Sequence, residues 1–411
     1  MPLLNLDPKI LQSISDLLLM GYGRTYDNAK AGTAGADTLT GGNKTDKLDG
    51  GAGDDTLVGG TGDDWLVGGA GADKLYGGGN HDVASYIDSP DAIFIDLENG
   101  NSGDNGSNAA LADSFGDTLD EIEQINGSVY DDLILGDKNA NEFYGYDGND
   151  DLYGGAGNDT LFGMQGSDYL SGGEGKDTLN GGAGNDEIHG GNGYDQIEGG
   201  AGNDRIYAEG DGAEVHGGAG DDTITGGSVK DFLYGDSGID IIYGGGGDDF
   251  IYGGNDKDFL RGENGHDTID GGAGNDNLAG GEGNDILKGD IGDDELKGEA
   301  GVDTLWGGQG QDVMYGDGTA LKTADIFQLN VQNGGNDTIY DFDIDNDVLQ
   351  LLGATINGKD VAVDHTANGW LKLEFEDGGS VTFLGNEAMA GIQNVAELNY
   401  HANVLYADGM A

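Results

Sequence analysis

The chain of 411 residues contains no cysteine, so no disulfide can staple it, and a protein working outside the cell would need another brace. Proline is nearly absent, with 3 residues against 85 glycines. Glycine does not recur at every third position, which excludes a collagen-like helix. Basic residues are scarce too: 17 Lys and Arg stand against 78 Asp and Glu, a net charge of −61. So negative a chain neither grips nucleic-acid phosphates nor seeks an anionic membrane surface. Long apolar runs are also missing. Leu17–Met20, the longest near the start, has four residues, far below the roughly 18 that span a bilayer.

What the chain does have is a period. From Gly127 to Tyr315 it divides into 21 consecutive nine-residue units with no insertion, of which Gly154-Gly155-Ala156-Gly157-Asn158-Asp159-Thr160-Leu161-Phe162 is typical. Position six is Asp in 19 units: Asp132, Asp150, Asp159, Asp168, Asp177, Asp186, Asp195, Asp204, Asp222, Asp231, Asp240, Asp249, Asp258, Asp267, Asp276, Asp285, Asp294, Asp303 and Asp312; Asn141 and Ala213 are the exceptions. Position eight is apolar throughout, from Ile134 through Leu161 and Ile224 to Met314. A shorter block in the same phase runs from Gly32 to Tyr76, with Asp37, Asp46, Asp55, Asp64 and Asp73 in sixth place, and Asp82 opens one more unit before the period is lost.

The pattern G-G-x-G-x-D-x-U-x, with U a large apolar residue, resembles the RTX family of exported bacterial proteins over about 240 residues. Its physics is consistent with that resemblance. Each unit reads as a glycine-rich turn followed by a three-residue strand, x-U-x, with the middle side chain on one face and its flanks on the other. Two units make one coil of a parallel β-roll, an all-β solenoid in which the eighth-position residues form a thin apolar core. Such a core does not offset the chain entropy unaided, and hard cations that prefer oxygen ligands, calcium first, are the natural complement to so many carboxylates. The resemblance implies calcium between stacked turns, held by the sixth-position Asp residues and by backbone carbonyls at positions one and three of one turn and two and four of the next. One such site would use Gly154, Ala156 and Asp159 with Gly173, Gly175 and Asp177. Roughly 20 Ca²⁺ would offset about +40 of the negative charge. Without calcium the chain is expected to be largely disordered. Ala208–His216, which carries Ala213, is expected to interrupt the calcium column on one edge.

Five segments follow. Residues 1–31 form an N-terminal segment in which Asp7 and Pro8 start a short amphipathic helix with Ile10, Ile14, Leu17 and Leu18 on one face and Gly21 at its end. It either caps the roll or docks onto a neighbouring molecule. Residues 32–85 are the first repeat block. Residues 86–126 are irregular coils or an insertion, strand-like at Ala92–Leu97 and Gly116–Glu123, with a surface loop around Asn101–Asn108. Residues 127–316 are the long roll. Residues 317–411 form a β-rich cap, with strands at Asp325–Leu329, Gly335–Phe342, Trp370–Phe375 and Ser380–Leu384, resembling the tails read by type I secretion. That resemblance implies export and a place outside the cell or on its surface, and it fits the absence of a cleavable N-terminal signal pattern. Asp341–Asp347 is not an EF-hand, because Asn346 and Leu352 stand where that loop needs Gly and Glu.

No catalytic signature emerges. There is no H-E-x-x-H and no G-x-S-x-G, the six histidines are scattered, and the calcium ladder accounts for the paired carboxylates; the chain reads as not an enzyme. The outward positions seven and nine carry a run of Phe232, Tyr234, Ile241, Tyr243, Phe250, Tyr252 and Phe259. Stacking two units apart places Phe232 over Phe250 and Tyr234 over Tyr252 on one face, with Ile241 and Phe259 near Tyr243 on the other. These are either ordinary strand neighbours or a contact for self-association or a surface partner. Arg261 and Lys297 fall on one face and Lys288 on the other, which makes no basic stripe. The reading favoured is a structural, self-assembling component of a surface layer, fibre or biofilm matrix. The alternative is a calcium-dependent module that binds glycan or a host surface. A cytolysin is disfavoured.

Overall fold

The computed structural model describes residues 25–99, 101–104, 113–317, 323–330, 335–343, 346–352, 361–365, 371–375, 380–384 and 403–407. The expected N-terminal helix, the rest of the loop at 101–108 and Trp370 lie outside them. The chain divides into two compact units, Met1–Gly172 and Gly173–Ala411.

Within each unit the nine-residue period becomes a parallel β-roll. Strands two repeats apart pair in parallel with an offset of 18 residues: Leu179 lies opposite Ile197 and Ile197 opposite Val215, while on the second sheet Ile188 lies opposite Ile206 and Ile206 opposite Ile224. The eighth-position side chains of both sheets turn inward and, but for the half-buried Leu39 in the first repeat, are buried, Leu152 and Leu161 in the first unit and Ile242, Leu278 and Met314 in the second among them. The strands are longer than x-U-x. Thr178–Ala183 is typical and continues through positions one to three of the next repeat, because Gly182 and Ala183 stay in register with Gly200 and Ala201. At full burial each such apolar residue contributes roughly 2 kcal/mol, spread over nine residues whose backbone ordering costs about 1 kcal/mol or more apiece.

The period-free stretch after Tyr86 widens the coil on one sheet only. On the first sheet Val83–Ser85, Gln124–Asn126 and Glu142–Asp147 continue the parallel stack. On the second, Thr118–Asp120 stacks on Lys74–Gly79 and Ile93–Asp96 on Leu133–Leu135. Between these two, Asn101–Asp104 runs antiparallel to both. The expected loop therefore begins as a hairpin strand.

Parallel stacking also continues beyond residue 316. Ile326–Asn330 pairs with Thr304–Gln309, Val348–Leu352 with Ile326–Asn330, and Asn403–Ala407 with Val348–Leu352. On the other sheet Asn336–Ile339 follows Val313–Asp317, and Ser380–Phe383 follows Asn336–Ile339. The offsets grow from 18 to 22 and more, so these are wider coils of the same roll. Val361–His365, Leu371–Phe375 and Ser380–Phe383 add an antiparallel meander at that end.

Candidate metal centres

Among the described residues the sixth-position carboxylates from Asp46 onward are buried charged groups; Asp64, Asp150 and Asp240 are 0% exposed. Stacking places each above the same position two repeats on, and one carboxylate oxygen is committed to the protein. The amide of Asp222 donates to Oδ1 of Asp240 at 2.9 Å, that of Asp240 to Asp258 at 2.9 Å, and that of Asp258 to Asp276 at 2.9 Å. The other edge repeats this from Asp231 to Asp249, Asp267, Asp285 and Asp303. In the first unit the same rung joins Asp37 to Asp55, Asp46 to Asp64, Asp55 to Asp73, Asp64 to Asp82, Asp132 to Asp150, and Asp150 to Asp168. Asn141 donates its own amide to Asp159. In the second unit Asp177, Asp186, Asp204, Asp276, Asp285 and Asp294 donate to Asp195, Asp204, Asp222, Asp294, Asp303 and Asp312.

The second oxygen is left over. Oδ2 of Asp46, Asp55, Asp64, Asp73, Asp82 and Asp150 in the first unit, and of Asp195, Asp204, Asp222, Asp240, Asp249, Asp258, Asp267, Asp276, Asp285, Asp294, Asp303 and Asp312 in the second, is buried with no hydrogen-bond donor. Position-one glycines frame it. A Cβ on Gly235 would sit 2.4 Å from Asp240 Oδ2 and 2.5 Å from the carbonyl oxygen of Gly253 one coil on, and Gly199 repeats this at 2.5 Å from Asp204 Oδ2 and 2.6 Å from the Gly217 carbonyl oxygen. An unpartnered anionic oxygen therefore shares a small cradle with a backbone carbonyl from the next coil. Burial is expensive for such groups. It pushes Asp195 and Asp222 up to about 6, Asp82, Asp249, Asp258 and Asp303 to about 7, Asp240 to about 8 and Asp150 to about 9. The rung amide opposes the rise at each of them.

Among the described residues no three His, Asp or Glu side chains converge as a metal cage, so backbone carbonyls would have to complete any coordination sphere. One carboxylate oxygen per turn, carbonyls at its side and no nitrogen or sulfur form the donor set of calcium. The residues fit that ion: the rung carboxylates would hold it, and it would supply the positive charge that their burial calls for. Of the residues expected to share one site, Gly154, Ala156 and Asp159 belong to the first unit and Gly173, Gly175 and Asp177 to the second. Within its own unit, Gly154 is framed by Asp159 Oδ2 and the Gly172 carbonyl; in the second, the Gly173 and Gly175 carbonyls face Gly191 and Gly193.

Sequence reasoning missed five members of the ladder. Asp73 donates to Asp117 at 2.7 Å and Asp82 to Glu123 Oε2 at 2.9 Å. Asp303 donates to Asp325, Asp312 to Asp337 and Asp325 to Asp347. All five stand two residues before a buried apolar side chain: Leu119, Ile125, Phe327, Ile339 and Leu349. The fragment D-x-U alone, or E-x-U, would have found them without the glycines. At Ala213 the rung is missing, and the amide of Asp195 turns to the carbonyl of Gly212 at 3.3 Å.

A second ladder runs outside the first and in the opposite sense. Position-five amides donate backwards: Asp221 to Asn203, Ile239 to Asp221, Asn284 to Nδ1 of His266, and Val302 to Asn284. This explains the frequent Asn and Asp at a position the repeat pattern leaves open.

The outward aromatics stack in the expected register, Phe232 over Phe250, Tyr234 over Tyr252 and Ile241 over Phe259. Tyr234 lies flat on His216, centroids 4.5 Å apart, and tilts against Phe250 at 5.9 Å. Arg261 is held by Glu299 at 3.1 Å.

The family model of the RTX calcium-binding nonapeptide repeat matches residues 31–64, 49–84, 126–161, 153–188, 162–197, 180–212, 214–228, 225–260, 252–287 and 288–319, more than half of the chain. The chain belongs to that family. No curated protein sequence matches it. Among solved structures, it is similar to the extracellular lipase LipA from Serratia marcescens (20% identity, 49% of this chain and 40% of the lipase, TM-score 0.19). It is also similar to the AlgE6R3 subunit from the Azotobacter vinelandii mannuronan C5-epimerase (23% identity, 45% of this chain and 83% of the subunit, TM-score 0.17). This chain thus spans well under half of the lipase's length.

Proposed function

We propose that this RTX protein is exported by a type I route, folds on meeting calcium outside the cell, and acts without catalysis as a structural, self-assembling component of a surface layer, fibre or matrix. Export rests on family membership; assembly rests on one observation. On one sheet of the second unit Ile241, Tyr243 and Phe259 are 37%, 38% and 41% exposed, adjacent in register, on a roll otherwise dominated by charge. The largest apolar patch on a protein surface is often where a partner docks. Calcium titrated into the metal-free protein, followed by circular dichroism and light scattering, tests both halves. Folding with a large rise in particle size that Ile241→Ser with Phe259→Ser abolishes is the expected result; folding to a monomer would reject assembly.

A second reading, attachment to a polyhydroxylated surface, has one observation in its favour. Beside that patch lies an open cleft of about 350 Å³ lined by Arg261, Glu263, Asn264, Gly281, Glu282 and Glu299, planar side chains suited to sugar hydroxyls. A glycan array in calcium separates the two readings.

A further inference from the structure

Not every turn of the roll is built alike. In the long run almost every position-two residue has a positive φ, and this holds for side chains that find it costly: Tyr146 at 78°, Met164 at 79°, Glu209 at 63°, Asp236 at 72°, Glu263 at 74°, Asp290 at 67° and Glu299 at 72°. Three positions depart, Ser128, Asp137 and Gly227, and Thr33 and Gly42 do so in the first block. Gly227 is a residue for which positive φ is free, yet it does not adopt it, so the backbone state belongs to the turn and not to the residue type.

Four of the five departing turns share a hydrogen bond. Thr33 donates its amide to Asp37 Oδ2 at 2.7 Å, Ser128 to Asp132 Oδ2 at 2.6 Å, Asp137 to Asn141 Oδ1 at 2.9 Å and Gly227 to Asp231 Oδ2 at 2.7 Å. In each, position two donates to the position-six side chain of its own turn. Ser128 adds its hydroxyl to Asp132 at 2.7 Å and Thr33 adds its own to Asp37 at 2.8 Å. Gly42 also lacks a positive φ but leaves Asp46 Oδ2 without a donor, so it is not one of them.

A trans peptide carries N–H and C=O on opposite sides, and no peptide of the described chain is cis. A turn that points its position-two N–H at the carboxylate therefore points the position-one carbonyl away from it. The positive end of a peptide dipole then faces one carboxylate oxygen, and a carbonyl ligand is lost; at Asp231 the other oxygen, Oδ1, is buried without a donor, so there it is the lost carbonyl that tells against a cation. One residue supplies an independent check. Ala208 is the only position-one residue of the long run that is not glycine, and it is buried. Elsewhere a Cβ there would meet the next coil's carbonyl, at 2.5 Å for Gly235. The turn one coil after Ala208 is 226–231, whose position-one carbonyl faces away.

We propose that the turns 32–37, 127–132, 136–141 and 226–231 are closed by their own amides and hold no calcium, and that in the second unit the turn 226–231, with Ala213, splits one edge into separate calcium columns while the other edge stays continuous. This rests on the calcium reading above. The test uses the full chain folded in calcium, with bound calcium per chain counted by elemental analysis after gel filtration. Asp231→Ala should keep the wild-type count, and Asp249→Ala should lower it by at least one. Ala208→Gly with Ala213→Asp should raise it by at least one, since it frees the 226 carbonyl to turn inward and restores the missing rung. Asp231→Ala lowering the count as far as Asp249→Ala overturns the proposal, as does a double variant that folds and binds no more than the wild type. If Asp231→Ala fails to fold, the double variant decides. A wild-type chain that folds and binds no calcium overturns the calcium reading itself, a separate result.

Discussion

The amide of Asp222 donates to Oδ1 of Asp240 at 2.9 Å, and Oδ2 of Asp240 is buried beside it with no donor. One carboxylate thus does two jobs: it closes the coil beneath it and offers a bare anionic oxygen to whatever fills the cradle. Asp240→Asn separates them, because the amide oxygen still accepts from Asp222 while the charge is gone. The expected result has opposite signs in the two states. In calcium, half-folding requires roughly tenfold more of the ion, about 1.4 kcal/mol; in chelator at neutral pH the variant is more structured than the wild type, because it buries no charge there. Circular dichroism with and without chelator reads both. Equal loss in both states would mean that Asp240 acts only through its hydrogen bond.

The buried carboxylates make calcium and protons competitors. Burial raises Asp195 to about 6, Asp294 and Asp312 to about 7 and Asp240 to about 8, from 3.8. A group whose folded value is raised binds its proton more tightly in the folded, calcium-free roll. Its contribution is therefore fully present below about pH 4 and is lost as pH rises through 6 to 8. In chelator, residual structure should be greater at pH 5 than at pH 8. In calcium the order reverses: affinity rises over the same window and protons are released on binding. Calorimetry in two buffers of different ionisation enthalpy measures that release; no release at pH 6 would contradict the assignment.

Position-one glycines should be far less tolerant than position-three ones. Gly235→Ala places a methyl 2.4 Å from Asp240 Oδ2 and 2.5 Å from the Gly253 carbonyl, whereas at Gly246, which has no positive φ, the nearest atom is 3.5 Å away. Gly235→Ala is expected to cost about 1–3 kcal/mol in calcium, and Gly246→Ala less than about 0.5 kcal/mol. Thermal unfolding in calcium compares them directly.

The roll itself was legible because two chemistries keep one phase: an apolar residue every nine positions and an Asp two before it. Where the glycines fail, the same pair persists in Asp325-Ile326-Phe327 and Asp337-Thr338-Ile339. The offset there changes from 18 to 22 and 25 residues, which a fixed period does not detect. The hairpin strand Asn101–Asp104 was hidden because its glycine- and serine-containing sequence reads as a turn. The state of the position-two peptide was not legible at all: Glu209 takes a positive φ that its residue type disfavours, and Gly227 does not take one that glycine allows.

The outer ladder should stabilise the roll without taking part in metal binding. Asn203 accepts from the amide of Asp221 at 3.0 Å and donates its own amide to Asn185 at 2.8 Å, both at exposed positions. Asn203→Ala removes the acceptor and keeps the donor, so only one solvent-accessible hydrogen bond is lost, worth about 0.5–1.5 kcal/mol. The neighbouring rung from Asp204 to Asp222 at 2.8 Å is untouched. The calcium count should therefore equal the wild type while the melting temperature in calcium falls by a few degrees. An altered count would show that the two ladders are coupled through the turn, because the position-five amide and the position-six carboxylate share one peptide neighbourhood and the outer bond would then be setting the geometry of the inner one.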